Sequence, residues 1–306
     1  MSTLQSTFFI LSIFTKNSIM VLDFASNYEI KQLLAYALNE DIREGDHSSL
    51  SSIPWDREDR AKLLVKEEGI LAGVALAQEI IQMVDPSLHL EVLKQDGTKI
   101  THGDIAFYLS GRTHSILKCE RLILNFMQRL SGIATITNTY VNAIKDTPCK
   151  LLDTRKTTPG LRLLEKWAVA LGGGNNHRVG LYDMIMLKDN HIDAAGGITK
   201  ALTLANAYRK ATNPKLKIEV ETRSLDEVQE ALASGGADRI MLDNFTLEKT
   251  REAIAMISNQ VETESSGGIT LSTLHDYAKT GVTYISVGAL THSVKALDLS
   301  LKIIKQ

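Results

Sequence analysis

After residue 150 the chain repeats one pattern: a short apolar run, polar residues, then a stretch with helical spacing. The runs are Leu151-Leu152, Met184 to Leu187, Ile218 to Val220, Ile240 to Leu242, Val261 to Glu264 and Tyr284 to Val287. The helical stretches between them cover 161–171, 199–211, 225–233, 247–257 and 271–279. Strands separated by helices cannot pair as hairpins. They pair in parallel through right-handed crossovers, and the expected architecture is an α/β barrel. Six runs are present rather than eight, so a complete barrel is not assured and an open or incomplete one is allowed.

The first part of the chain lacks this regularity. Residues 27–42 carry a helical apolar stripe of Ile30, Leu33, Leu34, Ala37, Leu38 and Ile42. Strand-like runs follow at 62–65, 88–93 and 105–109, with a helical run at 75–84 between them. Asp96-Gly97 and His102-Gly103 mark turns. This reads as an α+β domain over residues 20–120, joined to a barrel over 121–293. A long helix, about 119–145, follows, with Leu122, Phe126, Leu130, Ile133, Tyr140 and Ile144 in register. Ser131-Gly132 weakens it, since glycine costs about 1 kcal/mol against alanine inside a helix.

Several classes fall away. The run Phe8 to Phe14 is far short of the roughly 20 apolar residues that span a bilayer. It has no basic lead and no small-residue cleavage site, so it is not a secretory signal. Met20 precedes the first amphipathic helix, and residues 1–19 read as a dispensable extension. The net charge is −2, which disfavours a nucleic-acid binder. Cys119 and Cys149 fit neither a disulfide framework nor zinc spacing and point to a reducing compartment, with the cytoplasm expected. Gly172-Gly173-Gly174 is neither a dinucleotide fingerprint nor a Walker A loop.

In α/β barrels the chemistry sits at the C-terminal strand ends. Here those ends read Asp153-Thr154-Arg155-Lys156, Lys188-Asp189-Asn190-His191, Glu221-Thr222-Arg223, Asp243-Asn244, Ser266-Gly267-Gly268 and Gly288. Polar strand ends are common, but six in series are more than loop composition accounts for. Charge is also segregated. Residues 150–191 hold seven Lys and Arg against four Asp and Glu, whereas 217–244 hold three against seven. Solvated helices explain Asp226, Glu227 and Glu230, but not Glu221 and Asp243, which close apolar strands. The basic side suits an anionic substrate. The acidic side suits Mg2+ or a developing positive charge. The two glycine-rich ends suit phosphate held on backbone N–H groups, against the simpler reading as turns. His177, beside Arg178 beyond a glycine turn, reads as part of an anion clamp.

The runs DTRKTTPGLR (153–162), GGGNNHRVGLYDMIMLKDNH (172–191), EVE (219–221), LDNF (242–245), ESSGGI (264–269) and VGALTHS (287–293) together resemble the quinolinate phosphoribosyltransferase family. ERLILNFMQRLSGIAT (120–135) resembles its interdomain helix, and the likeness covers residues 23–306. GDHSS (45–49) departs from the more usual Gly-Asp-x-Thr. The resemblance implies an α/β sandwich followed by an incomplete barrel, with a final helix at 294–306 packing back on the first domain. It implies transfer of phosphoribosyl from phosphoribosyl pyrophosphate to quinolinate, with decarboxylation, in NAD biosynthesis. Arg155, His177, Arg178 and Lys188 would bind the two carboxylates, and Arg121 would reach in from a neighbouring subunit of a homodimer or hexamer. Lys156, Glu221 and Asp243 would handle the phosphoribosyl donor, the two acids near ribose and Mg2+. Ser266, Gly267, Gly268, Gly288 and His292 would hold phosphate.

Two alternatives stand beside this reading. A sister phosphoribosyltransferase would act on another pyridine; an acceptor with one carboxylate would leave part of the clamp unpaired. A non-enzymatic anion sensor on the same barrel would keep the basic residues and dispense with Glu221 or Asp243.

Overall fold

The computed structural model describes Phe24 and residues 26–304. The extension expected at residues 1–19 lies outside the described residues. The first domain is built from α1 (Tyr28–Ile42), α2 (His47–Ser52), β1 (Glu58–Val65), β2 (Gly69–Ile70), α3 (Val74–Val84), β3 (His89–Val92), β4 (Lys99–Ile100) and β5 (Ile105–Arg112). Local chemistry sets the helix starts. The Asn27 side chain accepts from Ile30 N to begin α1, and Asp46 accepts from Ser48 N and Ser49 N to begin α2.

The interdomain helix α4 (Thr113–Ala143) runs unbroken through Ser131-Gly132. The Ser131 hydroxyl accepts from Ala72 N (2.9 Å) and donates to Ala72 O (3.1 Å). A Cβ on Gly132 would overlap the carbonyl oxygen of Lys295. The pair that weakens the helix in isolation is therefore where two other segments pack on it.

The second domain contains β6 (Lys150–Leu152), α5 (Arg162–Leu171), β7 (Ile185–Leu187), α6 (Asp189–Ala195), α7 (Ile198–Thr212), β8 (Ile218–Thr222), α8 (Leu225–Ser234), β9 (Arg239–Asp243), α9 (Leu247–Ile257), β10 (Glu262–Ser266), α10 (Leu271–Ala278), β11 (Tyr284–Ser286) and α11 (Ala289–His292). Its six strands form one parallel sheet in the order β6-β11-β10-β9-β8-β7. β6 and β7 are its two edges, so the barrel is open, the outcome that six strands allowed. Asn175 lies beside β6, donating from its N to Leu151 O (2.8 Å) and accepting at its O from Asp153 N (3.1 Å). Gly172 and Gly174 allow that approach, because a Cβ on either would meet α4.

The chain ends differently from expectation. No helix covers 294–304; instead β12 (Leu299–Ile303) joins the first domain's sheet, ordered β12-β1-β5-β3. It pairs antiparallel with β1, Leu301 opposite Leu63. The physical reason is period two: Leu297, Leu299 and Leu301 are buried at alternate positions. The segment does pack back on the first domain, but as an edge strand.

Alternation also sets the barrel's two faces. Ile218, Val220, Ile240 and Leu242 pack outward with Ile192, Leu202, Val228 and Ala253 of the surrounding helices. Glu219, Glu221, Arg239 and Asp243 therefore face the interior.

Candidate active site

The basic strand ends converge around Arg155 and Arg178. Arg178 is buried, donates from Nη1 to Met184 O (3.3 Å), and has its pKa pressed down by burial and then by the charge of Arg155. Arg155 Nε is buried without a hydrogen-bond partner. Two guanidinium groups close enough to repel, one with an unused buried donor, are an arrangement that would suit an anion.

A buried pair holds that site in place. Lys166 Nζ, at the core of α5, donates to Asp153 Oδ1 and to His177 O (2.9 Å). Asp153 in turn accepts from His177 N (2.8 Å) and from Asn176 Nδ2 (2.6 Å). The strand-end Asp153 is thus the bracket for the segment carrying His177 and Arg178.

Lys188 joins the basic and acidic sides. Its Nζ lies 3.0 Å from Glu221 Oε2. Asp243 sits close enough to Glu221 to feel its charge; burial, then that charge, raise the Asp243 pKa. Asn244 Nδ2 donates to Asp243 Oδ2 (2.8 Å). Two oxygen-donor carboxylates crowded at one strand-end layer, with one lysine between them, form a donor set that fits a hard divalent cation such as Mg2+.

The phosphate candidates also come together. Gly267 and Gly268 have positive φ values of 93° and 63° after β10. Gly288 has ordinary helical φ, yet a Cβ there would lie 3.0 Å from both Lys156 Cδ and His292 Cδ2. Its bareness lets Lys156 and His292 close over the same backbone. The Thr291 hydroxyl donates to Lys156 O (2.8 Å), tying the two loops. Arg121 is exposed on α4.

His177 is placed deeper than the clamp residues. Its Nε2 is 3.0 Å from Glu219 and 3.3 Å from Glu264, and Nδ1 accepts from Arg178 N (2.7 Å). Burial opposes its protonation, but Glu219 and Glu264 outweigh burial and lift its pKa to about 9. The second proton would displace the Nδ1 bond to Arg178. Burial, then Glu264, raise Glu219 to about 7. The donor atoms of His177, Glu219 and Glu264 lie within 4.8 Å of one another, as in a metal site. The tautomer argues otherwise: Nδ1 accepts, so Nε2 keeps its hydrogen and cannot ligate. Arg239 already supplies a cation, 2.9 Å from Glu264 and 3.6 Å from Glu219. The cluster is an ionic floor beneath the mouth.

Sequence reasoning missed this floor, the Asp153–Lys166 pair and Asn244. One signal was available: Glu219 and Glu264 stand two residues before the polar strand ends Glu221 and Ser266, and so share their face of the strand.

The comparisons with known proteins decide the family. A model described as "Quinolinate phosphoribosyl transferase, C-terminal domain" matches residues 133–302, and its N-terminal counterpart matches 46–131. The chain belongs to this family. An Arabidopsis thaliana protein named nicotinate-nucleotide pyrophosphorylase (carboxylating), chloroplastic, is 49% identical over 291 residues, covering 90% of this chain and 83% of that one. A Bacillus subtilis protein, a probable nicotinate-nucleotide pyrophosphorylase (carboxylating), is 44% identical over 278 residues, covering 91% and 94%. Among solved structures, the nicotinate-nucleotide pyrophosphorylase from Francisella tularensis aligns with a TM-score of 0.88 at 41% identity, covering 95% of this chain and all of that one. This quinolinate phosphoribosyltransferase chain thus has its family likeness over both domains.

Proposed function

We propose the following assignment of this chain's residues to the family's reaction. The protein is a phosphoribosyltransferase that converts quinolinate and phosphoribosyl pyrophosphate to nicotinate mononucleotide, pyrophosphate and carbon dioxide. The observation carrying the acceptor assignment is the Arg155–Arg178 pair with its unused buried Nε. Together with Lys188 it offers more cationic donors than one carboxylate can use. Arg121 of a second copy completes the clamp in a homodimer or hexamer. His177 joins it by turning its ring from Glu219 and Glu264.

Lys156, Ser266, Gly267, Gly268, Gly288 and His292 hold the donor's phosphates. Glu221 and Asp243 face the ribose and would hold Mg2+, directly or through water, which when bound neutralises the departing pyrophosphate. As the C1–pyrophosphate bond breaks, positive charge develops on the ribose, and the two carboxylates stabilise it. The pyridine nitrogen lone pair forms the new bond to C1 and leaves the ring cationic. The C2–carboxylate bond then breaks, its electron pair staying on C2 beside the cationic nitrogen. A proton taken up at C2 completes the product. The clamp's guanidinium groups fix the ring's orientation throughout, which lysines alone would not.

No described helix is long and apolar enough to cross a membrane, and both cysteines are free. The cytoplasm is the proposed location, and cell fractionation that finds the protein in a plastid or mitochondrion would replace it.

The test of the acceptor is competition. Turnover with quinolinate should withstand an equal concentration of nicotinate, and Arg178→Ala should raise the quinolinate KM at least tenfold. Preferential turnover of nicotinate would contradict the dicarboxylate clamp.

A further inference from the structure

Asn244 is an exposed residue at the mouth that touches both the acidic strand end and the glycine loop. It follows β9 directly and holds the left-handed conformation, with φ 54°. Its backbone N–H donates to Ser266 O (2.8 Å), at the end of β10. Its side-chain amide donates to Asp243 Oδ2 (2.8 Å). A Cβ on Gly267 would overlap the same carboxamide's oxygen. The next residue is fixed as well: Phe245 is buried, and its carbonyl accepts from the Tyr277 hydroxyl (2.8 Å) of α10.

We infer that Asn244 is a positioning residue that locks the Asp243 carboxylate to the Ser266–Gly268 loop, so that ribose-facing acid and phosphate-holding backbone keep one spacing. The inference rests on the role proposed for Asp243.

Residue chemistry supports asparagine specifically. Left-handed backbone disfavours β-branched and bulky residues and favours Gly, Asn or Asp. Glycine would satisfy the backbone but leave Asp243 Oδ2 without its donor. Aspartate would place an acceptor-only group against Asp243, whose charge Glu221 and Asp189 already disfavour. Asparagine combines a ready left-handed backbone with a side-chain donor. Gly267 is the complementary half, since its missing side chain is the space the Asn244 carboxamide fills.

The test compares Asn244→Gly and Asn244→Asp in the full-length protein, with Asp243→Ala alongside. Each is assayed for kcat, for the KM of both substrates, and for the melting temperature. Asn244→Gly should keep the melting temperature and leave the quinolinate KM within about twofold. It should lower kcat about tenfold and raise the KM for phosphoribosyl pyrophosphate, because the acid loses its fixed orientation. Asn244→Asp should be at least as impaired. Wild-type kcat and donor KM in Asn244→Gly, with Asp243→Ala inactive, would overturn the positioning role and leave the role of Asp243 standing. A parallel rise of both KM values with a fallen melting temperature would also overturn it, as plain structural damage. Wild-type turnover in Asp243→Ala would remove the underlying assignment and this inference with it.

Discussion

At the residue scale, what distinguishes this barrel mouth is which charges are paired and which are not. Lys166 and Asp153 are fully buried and satisfy each other, so they serve the backbone around His177. Arg155 keeps a buried donor unused, which is why it is proposed for the acceptor's carboxylates. Asp243 is half-buried and crowded by Glu221, which makes its negative charge costly until a cation or a positive ribose arrives. A group needed mainly in the transition state affects turnover more than binding. Asp243→Ala should therefore lower kcat more than it raises the quinolinate KM, as steady-state kinetics will read. The converse split would move Asp243 to the acceptor site. Residue types at strand ends were legible in the sequence because each follows an apolar run. Their pairing was not. Nothing in a linear pattern says that His177, next to Arg178, turns its ring to Glu219 and Glu264 from two other strands.

At the element scale, periodicity found each of the six barrel strands and the long helix, with ends shifted by a few residues. It failed where an element is defined by a partner. The two-residue strands β2 and β4 exist only as each other's complement. The C-terminal segment was expected as a helix, although Leu297, Leu299, Leu301 and Ile303 alternate as a strand does. Gly132 shows the same limit from the other side. Propensity counts it against α4, whereas the crossing segment at Val294 and Lys295 requires it. The two effects make opposite predictions for Gly132→Ala. Propensity alone would add about 1 kcal/mol of stability. The overlap with Lys295 O should cost about 1–3 kcal/mol and outweigh that gain, leaving a net loss of up to about 2 kcal/mol, seen as a lower midpoint in urea unfolding. A raised midpoint would show that the crossing segment yields easily.

At the scale of the whole molecule, α4 and β12 make the two domains one object. α4 carries Ser131 against Ala72, and β12 returns from beyond the barrel to extend the first domain's sheet. A near-neutral chain thereby presents a basic and an acidic side at one opening. The proposed assembly adds Arg121 of another copy to that opening. In such an assembly, Arg121→Ala and Asp243→Ala damage different subunits' contributions to one site. Each variant alone should be nearly inactive. Mixing them under subunit exchange should restore up to about a quarter of wild-type activity, since half the dimers are mixed and each holds one intact site. No recovery, with exchange verified, would mean each site is built from one chain. The central claim is that this mouth joins phosphoribosyl to a pyridine dicarboxylate and expels the carboxylate beside the nitrogen. The most direct measurement follows carbon dioxide from quinolinate labelled in its 2-carboxylate, with Mg2+ and phosphoribosyl pyrophosphate. Labelled gas should appear in equal amount to nicotinate mononucleotide, and only when the phosphoribosyl donor is present. Nucleotide formed with the label retained, or label released without the donor, would contradict the account.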